Sequence, residues 1–210
     1  MRRGAAYIEE LIAQGEHVTQ DFKYQITDAR KIARSIAAFA NHLGGRLLVG
    51  VKDNGVVAGV SGDEEVYMID EAAQVYCRPA QHVDYVTHNV HGKVVVEAII
   101  AVAAAGPVTA PDEHGNYVAY YRVADENVVA SRVHARVMSR EAPTVVTIGS
   151  RERLLLDYLE SHGAISVGGV ARLTHTSRPA ADDMVATLCS MGIVDIDYHD
   201  GDCVVVAAGH

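Results

Sequence analysis

The segment from Val94 to Val102 restricts the fold more than any other part of the chain. It is strand-length and nearly all apolar, which suits a strand buried on both faces and therefore central in its sheet. Val83 to His91 precedes it, and the intervening His91-Gly92-Lys93 turn makes the two a hairpin. A further strand is expected from Tyr117 to Ala124. Upstream, His17 to Lys23 alternates, with Val18 and Phe22 on one face and Thr19, Asp21 and Lys23 on the other, the pattern of a half-buried strand. Arg46 to Lys52 reads as another strand, and Asn54-Gly55 is a strong hairpin signal that returns the chain through Val56 to Val60.

Helical spacing separates these strands. Tyr7, Ile8, Leu11 and Ile12 form a short amphipathic helix that stops at Gly15. Asp28 is a suitable N-cap for a helix with Ile32, Ala33, Ile36, Phe39 and Ala40 on its apolar stripe. Asp63 can cap a third helix, which runs through Ile69 and Val75 to Pro79. A helix from Asn127 to Arg140 is expected to close this unit, and Glu141-Ala142-Pro143-Thr144 reads as a linker. Beyond it, Ser150 caps a helix with Leu154, Leu155, Tyr158 and Leu159, and Ser166 starts a second. Arg178-Pro179 opens a third helix, with Met184, Val185, Leu188 and Met191 on its apolar side. A ribbon follows, Ile193 to Tyr198 and Cys203 to Ala207 around Asp200-Gly201. Three helices followed by a hairpin is the order of a winged helix-turn-helix. The expected fold is therefore α+β: a mixed or antiparallel sheet with packed helices over residues 1–140, then a winged helix over 149–210.

The chain has 210 residues, 49% of them hydrophobic, enough for a core in each of two small domains. No run of about 18 apolar residues occurs, and Met1-Arg2-Arg3-Gly4 leads into an amphipathic segment, so a cytoplasmic protein without a membrane span is expected. Cys77, Cys189 and Cys203 are odd in number and lack a C-x-x-C pair, which points to neither a disulfide framework nor a zinc site. His88 and His91, the closest histidine pair in the strand region, would face opposite sides and flank a turn. The net charge of −9 means that any nucleic-acid contact must rest on a local basic patch.

An ordered set of motifs carries a family resemblance. Glu16-x-x-x-x-Asp21-Phe22-Lys23, Ile36-Ala37-Ala38-Phe39-Ala40-Asn41, Gly44-Gly45, Leu48 to Gly55 and the later Tyr121-Arg122-Val123 resemble the Schlafen-type AlbA domain. Bacterial members of that family read Glu-Phe-Lys, Ala-Phe-Ala-Asn, Gly-Gly and Gly-Val-Asp-Asp-x-Gly in the same order. The resemblance implies nucleic-acid binding, DNA or RNA, and a role in transcriptional regulation. An older family label adds ATP binding. Animal Schlafens add metal-dependent ribonuclease activity, for which the matching carboxylates here are Glu16, Asp21 and Asp53, with Mg²⁺ or Mn²⁺ as the metal and Lys23 beside them. Asp21 shortens a usual glutamate and Lys52 replaces one aspartate of the hairpin, so binding without turnover, and hence no cofactor, is the expectation.

Each candidate residue has a chemical reason and an ordinary alternative. Carboxylates are the oxygen donors that hard divalent cations take, but Asp21 can equally pair with Lys23 and Asp53 can start a turn. Asn41, Gly44 and Gly45 could offer backbone donors to a phosphate, but they sit at a helix C-terminus and lack the G-x-x-x-x-G-K-[ST] pattern, which favours a structural turn. Lys23, Lys31, Arg34 and Arg46 form the best basic cluster for a single strand or a backbone. Arg178 stands where a recognition helix begins. Residues 149–210, however, hold four Arg, no Lys and nine Asp or Glu, including Asp182 and Asp183 on that helix. The second domain is thus either a DNA contact or a dimerisation and protein-docking module, and a homodimer would double a weak footprint. A metal-dependent endoribonuclease and a non-enzymatic interaction module remain the alternatives to the regulator.

Overall fold

The computed structural model describes residues 4–139, 147–199 and 201–209, which separate into two compact units, Met1–Val129 and Ala130–His210. In the first unit a four-stranded sheet is ordered β1 (Gln20–Lys23), β2 (Gly45–Val49), β4 (Lys93–Ile100), β3 (Val83–Val90). β1 and β2 are parallel, which requires a crossover, and helix α2 (Ala29–Ala40) supplies it. β4 lies inside the sheet between β2 and β3, both antiparallel to it, as its apolar sequence demands.

Side chains alternate across this sheet and build two separate cores. On one face Leu47, Val49, Val96, Ala98 and Ile100 pack under α2, whose Ile32, Ala33, Ile36, Ala37, Phe39 and Ala40 are all buried. Helix α3 (Asp63–Glu71) and the wider turn continuing it over Ala72–Tyr76 join that layer through Ile69, Ala72 and Ala73. On the opposite face Phe22, Leu48, Val51, Val90 and Val95 pack under Ile8 and Leu11 of α1 (Ala5–Ala13). A small sheet of β5 (Thr109–Pro111), β6 (Tyr117–Val123) and β7 (Glu126–Val129) lies along α2.

The second unit contains α4 (Arg132–Met138), α5 (Ser150–His162), β8 (Ala164–Ser166), α6 (Val167–Leu173), α7 (Arg178–Ser190), β9 (Val194–His199) and β10 (Asp202–Ala207). The three strands form one antiparallel sheet in the order β8-β10-β9. Val133, Leu155, Leu159, Val170, Val185, Leu188 and Val205 make its core. Among the described residues of both units, no helix is long and apolar enough to cross a membrane.

Local differences from the sequence reading have local causes. The strand expected from His17 starts at Gln20, because His17 and Gln20 bond to each other's backbone and fold residues 17–20 into a turn. Val56 to Val60 does not form a strand: both sides of β2 are already paired, and only a Val51–Val57 bridge remains. The N-caps expected at Asp63 and Ser150 are Gly62 and Gly149, whose amides are held by Glu65 and Glu152. The helix expected from Asn127 begins at Arg132, since Glu126–Val129 pairs with β6 and Ser131 caps the helix by accepting from the His134 amide. Its Val133 is buried in the second unit's core. The linker Glu141-Ala142-Pro143-Thr144 and Asp200 of the ribbon turn lie outside the described residues.

Candidate functional site

Strand alternation places Asp21 and Lys23 on the α2 side of the sheet, and their side chains meet, with Lys23 Nζ 2.7 Å from Asp21 Oδ2. Arg122 comes in from β6 and is 1% exposed. Its Nη2 donates to the carbonyls of His17 and Gln20 at 3.4 and 3.3 Å and lies 3.7 Å from Asp21 Oδ1. Its Nη1 donates to Asn127 Oδ1 at 3.0 Å, and its guanidinium sits over the Phe39 ring at 4.9 Å. Asn127 in turn donates to Ser35 Oγ at 2.9 Å. One connected polar chain therefore runs from Lys23 through Asp21, Arg122 and Asn127 to Ser35.

Glu16 completes this group. Its Oε1 accepts from the Phe22 amide at 2.8 Å, yet burial, followed by the hydrogen bond with Asp21, pushes its carboxyl up to about 7. Glu16 therefore takes up its proton far more readily than an ordinary carboxyl. Burial pulls Arg122 below its ordinary value, against the opposing pull of Asp21 and Glu16. The set is incompletely satisfied: Asp21 Oδ2 and Arg122 Nε have no hydrogen bond, since the short Lys23 contact is ionic without hydrogen-bond alignment.

Lys23 opens this buried chain onto a cleft of about 430 Å³, lined also by Lys31, Arg34, Ser35, Tyr120, Glu126 and Asn127. Lys31 and Arg34 reach it together because three residues is nearly one turn of α2. Arg34 Nε donates to the Pro111 carbonyl at 2.9 Å, which fixes the side chain while its Nη atoms have no partner among the described residues.

Arg46, the fourth cation of the sequence cluster, is on the other side of the sheet. It pairs in register with Gln20, so it faces α1, where its Nη1 donates to Tyr7 Oη at 3.0 Å and lies 3.4 Å from Glu97 Oε1. Glu97 is fully buried and also accepts from Tyr7 at 2.9 Å, with His88 Nε2 3.0 Å from its second oxygen. Sequence reasoning missed Glu97 and His88. The available signal was a lone carboxylate inside an apolar central strand, which must find partners if it is buried.

The remaining candidates have other surroundings. The Asn41 amide is occupied, donating to the carbonyls of Val108 and Tyr120 at 2.7 and 2.8 Å and accepting from the Val108 amide at 2.7 Å. A Cβ on Gly44 would meet the Ile100 carbonyl at 2.8 Å and one on Gly45 would meet the Phe39 ring at 2.4 Å, so these glycines permit close packing. Asp53 is exposed in the turn after β2. Among the described residues no three His, Cys, Asp or Glu side chains gather as a metal site. Asp21 is held by Lys23 and Arg122, so Glu16, Asp21 and Asp53 do not form a gathered donor set for a divalent ion. In the second unit, Arg178 Nε donates to Asp182 Oδ1 at 3.2 Å, and Arg136 of α4 lies 3.4 Å from Asp183, so both acids of α7 are neutralised.

Comparison with known proteins adds three findings. The family model described as Schlafen, AlbA_2 matches residues 16–131. The crystal structure of the DIP2311 protein from Corynebacterium diphtheriae is similar, with a TM-score of 0.52 at 18% identity, covering 97% of this chain and 50% of that one. The chain thus spans half the length of that protein. The solution structure of the N-terminal domain of a RecG-related protein from Nitrosomonas europaea aligns at 18% identity and a TM-score of 0.40, over 62% of this chain and 96% of that one. No curated protein matches the sequence.

Proposed function

The chain belongs to the Schlafen, AlbA_2 family, and on that premise we propose that it is a nucleic-acid-binding protein that acts in transcriptional regulation, with binding rather than cleavage as its activity. The observation that carries this reading is the gathering of Lys23, Lys31 and Arg34 around one cleft in a chain of net charge −9. Cations concentrated in this way attract phosphate and release its counterions even when the protein as a whole is acidic. The carboxylates that would support metal-dependent cleavage have other partners: Asp21 pairs with Lys23 and Arg122, and Glu16 accepts from the Phe22 amide.

In the second unit, α5, α6 and α7 followed by the β9-β10 ribbon suit a winged helix, which would add a second nucleic-acid contact or a homodimer interface. A specific contact favours docking or dimerisation over base reading. Arg136 of α4 lies 3.4 Å from Asp183 and 3.5 Å from the Pro179 carbonyl, so α4 sits at the N-terminal end of α7, where base contacts would arise. The test is a binding titration with single-stranded RNA, tRNA and duplex DNA, with and without Mn²⁺, read for both shift and cleavage. A salt-sensitive shift with intact nucleic acid supports the reading, and Mn²⁺-dependent cleavage lost in Glu16→Gln overturns it.

A further inference from the structure

We infer that the cleft lined by Lys23, Lys31, Arg34 and Ser35 is a receptor for a terminal phosphate monoester, so that the protein engages strand ends rather than the interior of a strand. This rests on the nucleic-acid reading and narrows its ligand. The first argument is the layout of charge. A continuous backbone needs cations spaced along a track, but the fourth basic residue, Arg46, faces α1 and is bound to Tyr7 and Glu97. Lys31 and Arg34 converge on one space of about 430 Å³, which Lys23 also lines while paired with Asp21 and the Phe22 carbonyl. An internal phosphodiester carries one charge, whereas a terminal phosphate carries about −1.5 to −2 at pH 7 and gains more from converging cations.

The second argument is the donor inventory. Ser35 is 2% exposed, lines the cleft, and accepts a hydrogen bond from Asn127, yet its own hydroxyl proton has no acceptor among the described residues. A buried hydroxyl with an unused proton facing a cationic cleft suits an anionic oxygen acceptor. The Arg34 Nη atoms are likewise unused, while its Nε anchors the side chain to Pro111. The site therefore supplies ammonium, guanidinium and hydroxyl donors to one tetrahedral anion. It offers little to a base: Tyr120, its one aromatic residue, is 5% exposed and presents no ring face for stacking. The carboxylate at the cleft, Glu126, is exposed at the end of β7 and can turn into water.

The experiment measures binding of the full chain to a short single strand bearing a 5′-phosphate, a 3′-phosphate or only hydroxyl ends, with a nucleoside 5′-monophosphate and inorganic phosphate as competitors. At least one phosphorylated strand should bind about tenfold tighter than the hydroxyl strand, a difference of about 1.4 kcal/mol. The preference should vanish in Lys31→Ala, whose exposed side chain leaves the core untouched, and shrink in Ser35→Ala. Equal affinity for phosphorylated and hydroxyl strands overturns end recognition while leaving nucleic-acid binding intact. Binding of the free monophosphate but of no strand keeps the receptor and overturns the nucleic-acid reading. Absence of binding to every ligand overturns both.

Discussion

The two faces of the four-stranded sheet each bury a carboxylate beside cations, and they resolve it differently. On the α1 face, Glu97 is enclosed by Tyr7, His88 and Arg46, and each of its oxygens has a partner. On the α2 face, one oxygen of Asp21 lacks a hydrogen bond, the adjoining Arg122 Nε lacks one too, and Lys23 continues the chain into an open cleft. Burial makes an unpaired charge costly, so a closed network is what stability alone would select. Both networks reach a cleft, through Lys23 on this face and through Arg46 on the other, but only the α2 network is incompletely satisfied and ends in unused donors, which suits a ligand. Buried charge is therefore a weak sign of function, and the state of its partners is a stronger one.

The largest effect expected on this contrast is at the fully satisfied α1 face. Glu97→Ala leaves Arg46, His88 and Tyr7 around an empty acceptor position and should cost about 3 kcal/mol in urea unfolding; a loss below about 1 kcal/mol would remove the distinction between the faces. Arg122→Met, on the open face, should cost about 2 kcal/mol because the His17 and Gln20 carbonyls lose a donor and Asp21 loses a cation. Binding should separate the faces more sharply than stability does. Lys31→Ala should weaken nucleic-acid affinity by about tenfold with an unchanged melting temperature, whereas Arg46→Ala should lower stability by about 1 kcal/mol with unchanged affinity.

The smallest effect is in the pH dependence. Glu16 is raised from 4.5 to about 7, so the folded protein holds more protons than the unfolded chain between those values, and stability falls as pH rises through that window. Glu16→Gln should flatten that part of a melting-temperature profile taken from pH 5 to 8. An unchanged slope would show that the Glu16 carboxyl is not raised in the folded protein.

Much of the architecture was legible from periodicity. Val94 to Val102 requires an interior strand, and Asp28 and Ser166 cap the helices they precede. What sequence could not supply was side assignment. Lys23, Lys31, Arg34 and Arg46 lie close along the chain, but strand alternation and the parallel register of β1 with β2 send Arg46 to the far face. The Asn127 strand was hidden because Val128 and Val129 suit a helix or a strand, and pairing with β6 decides between them. Asn41, Gly44 and Gly45 were recognisable as a motif, but their packing roles depend on Val108, Tyr120 and Ile100, which are distant in sequence.

The most direct test of the proposed cleft is the salt dependence of nucleic-acid affinity for the parent chain, Lys31→Ala and Arg46→Ala measured side by side. The slope of log affinity against log salt should become shallower by about one for Lys31→Ala and stay unchanged for Arg46→Ala. Equal slopes in all three, or a shallower slope only in Arg46→Ala, would contradict the assignment of phosphate contact to the α2 face.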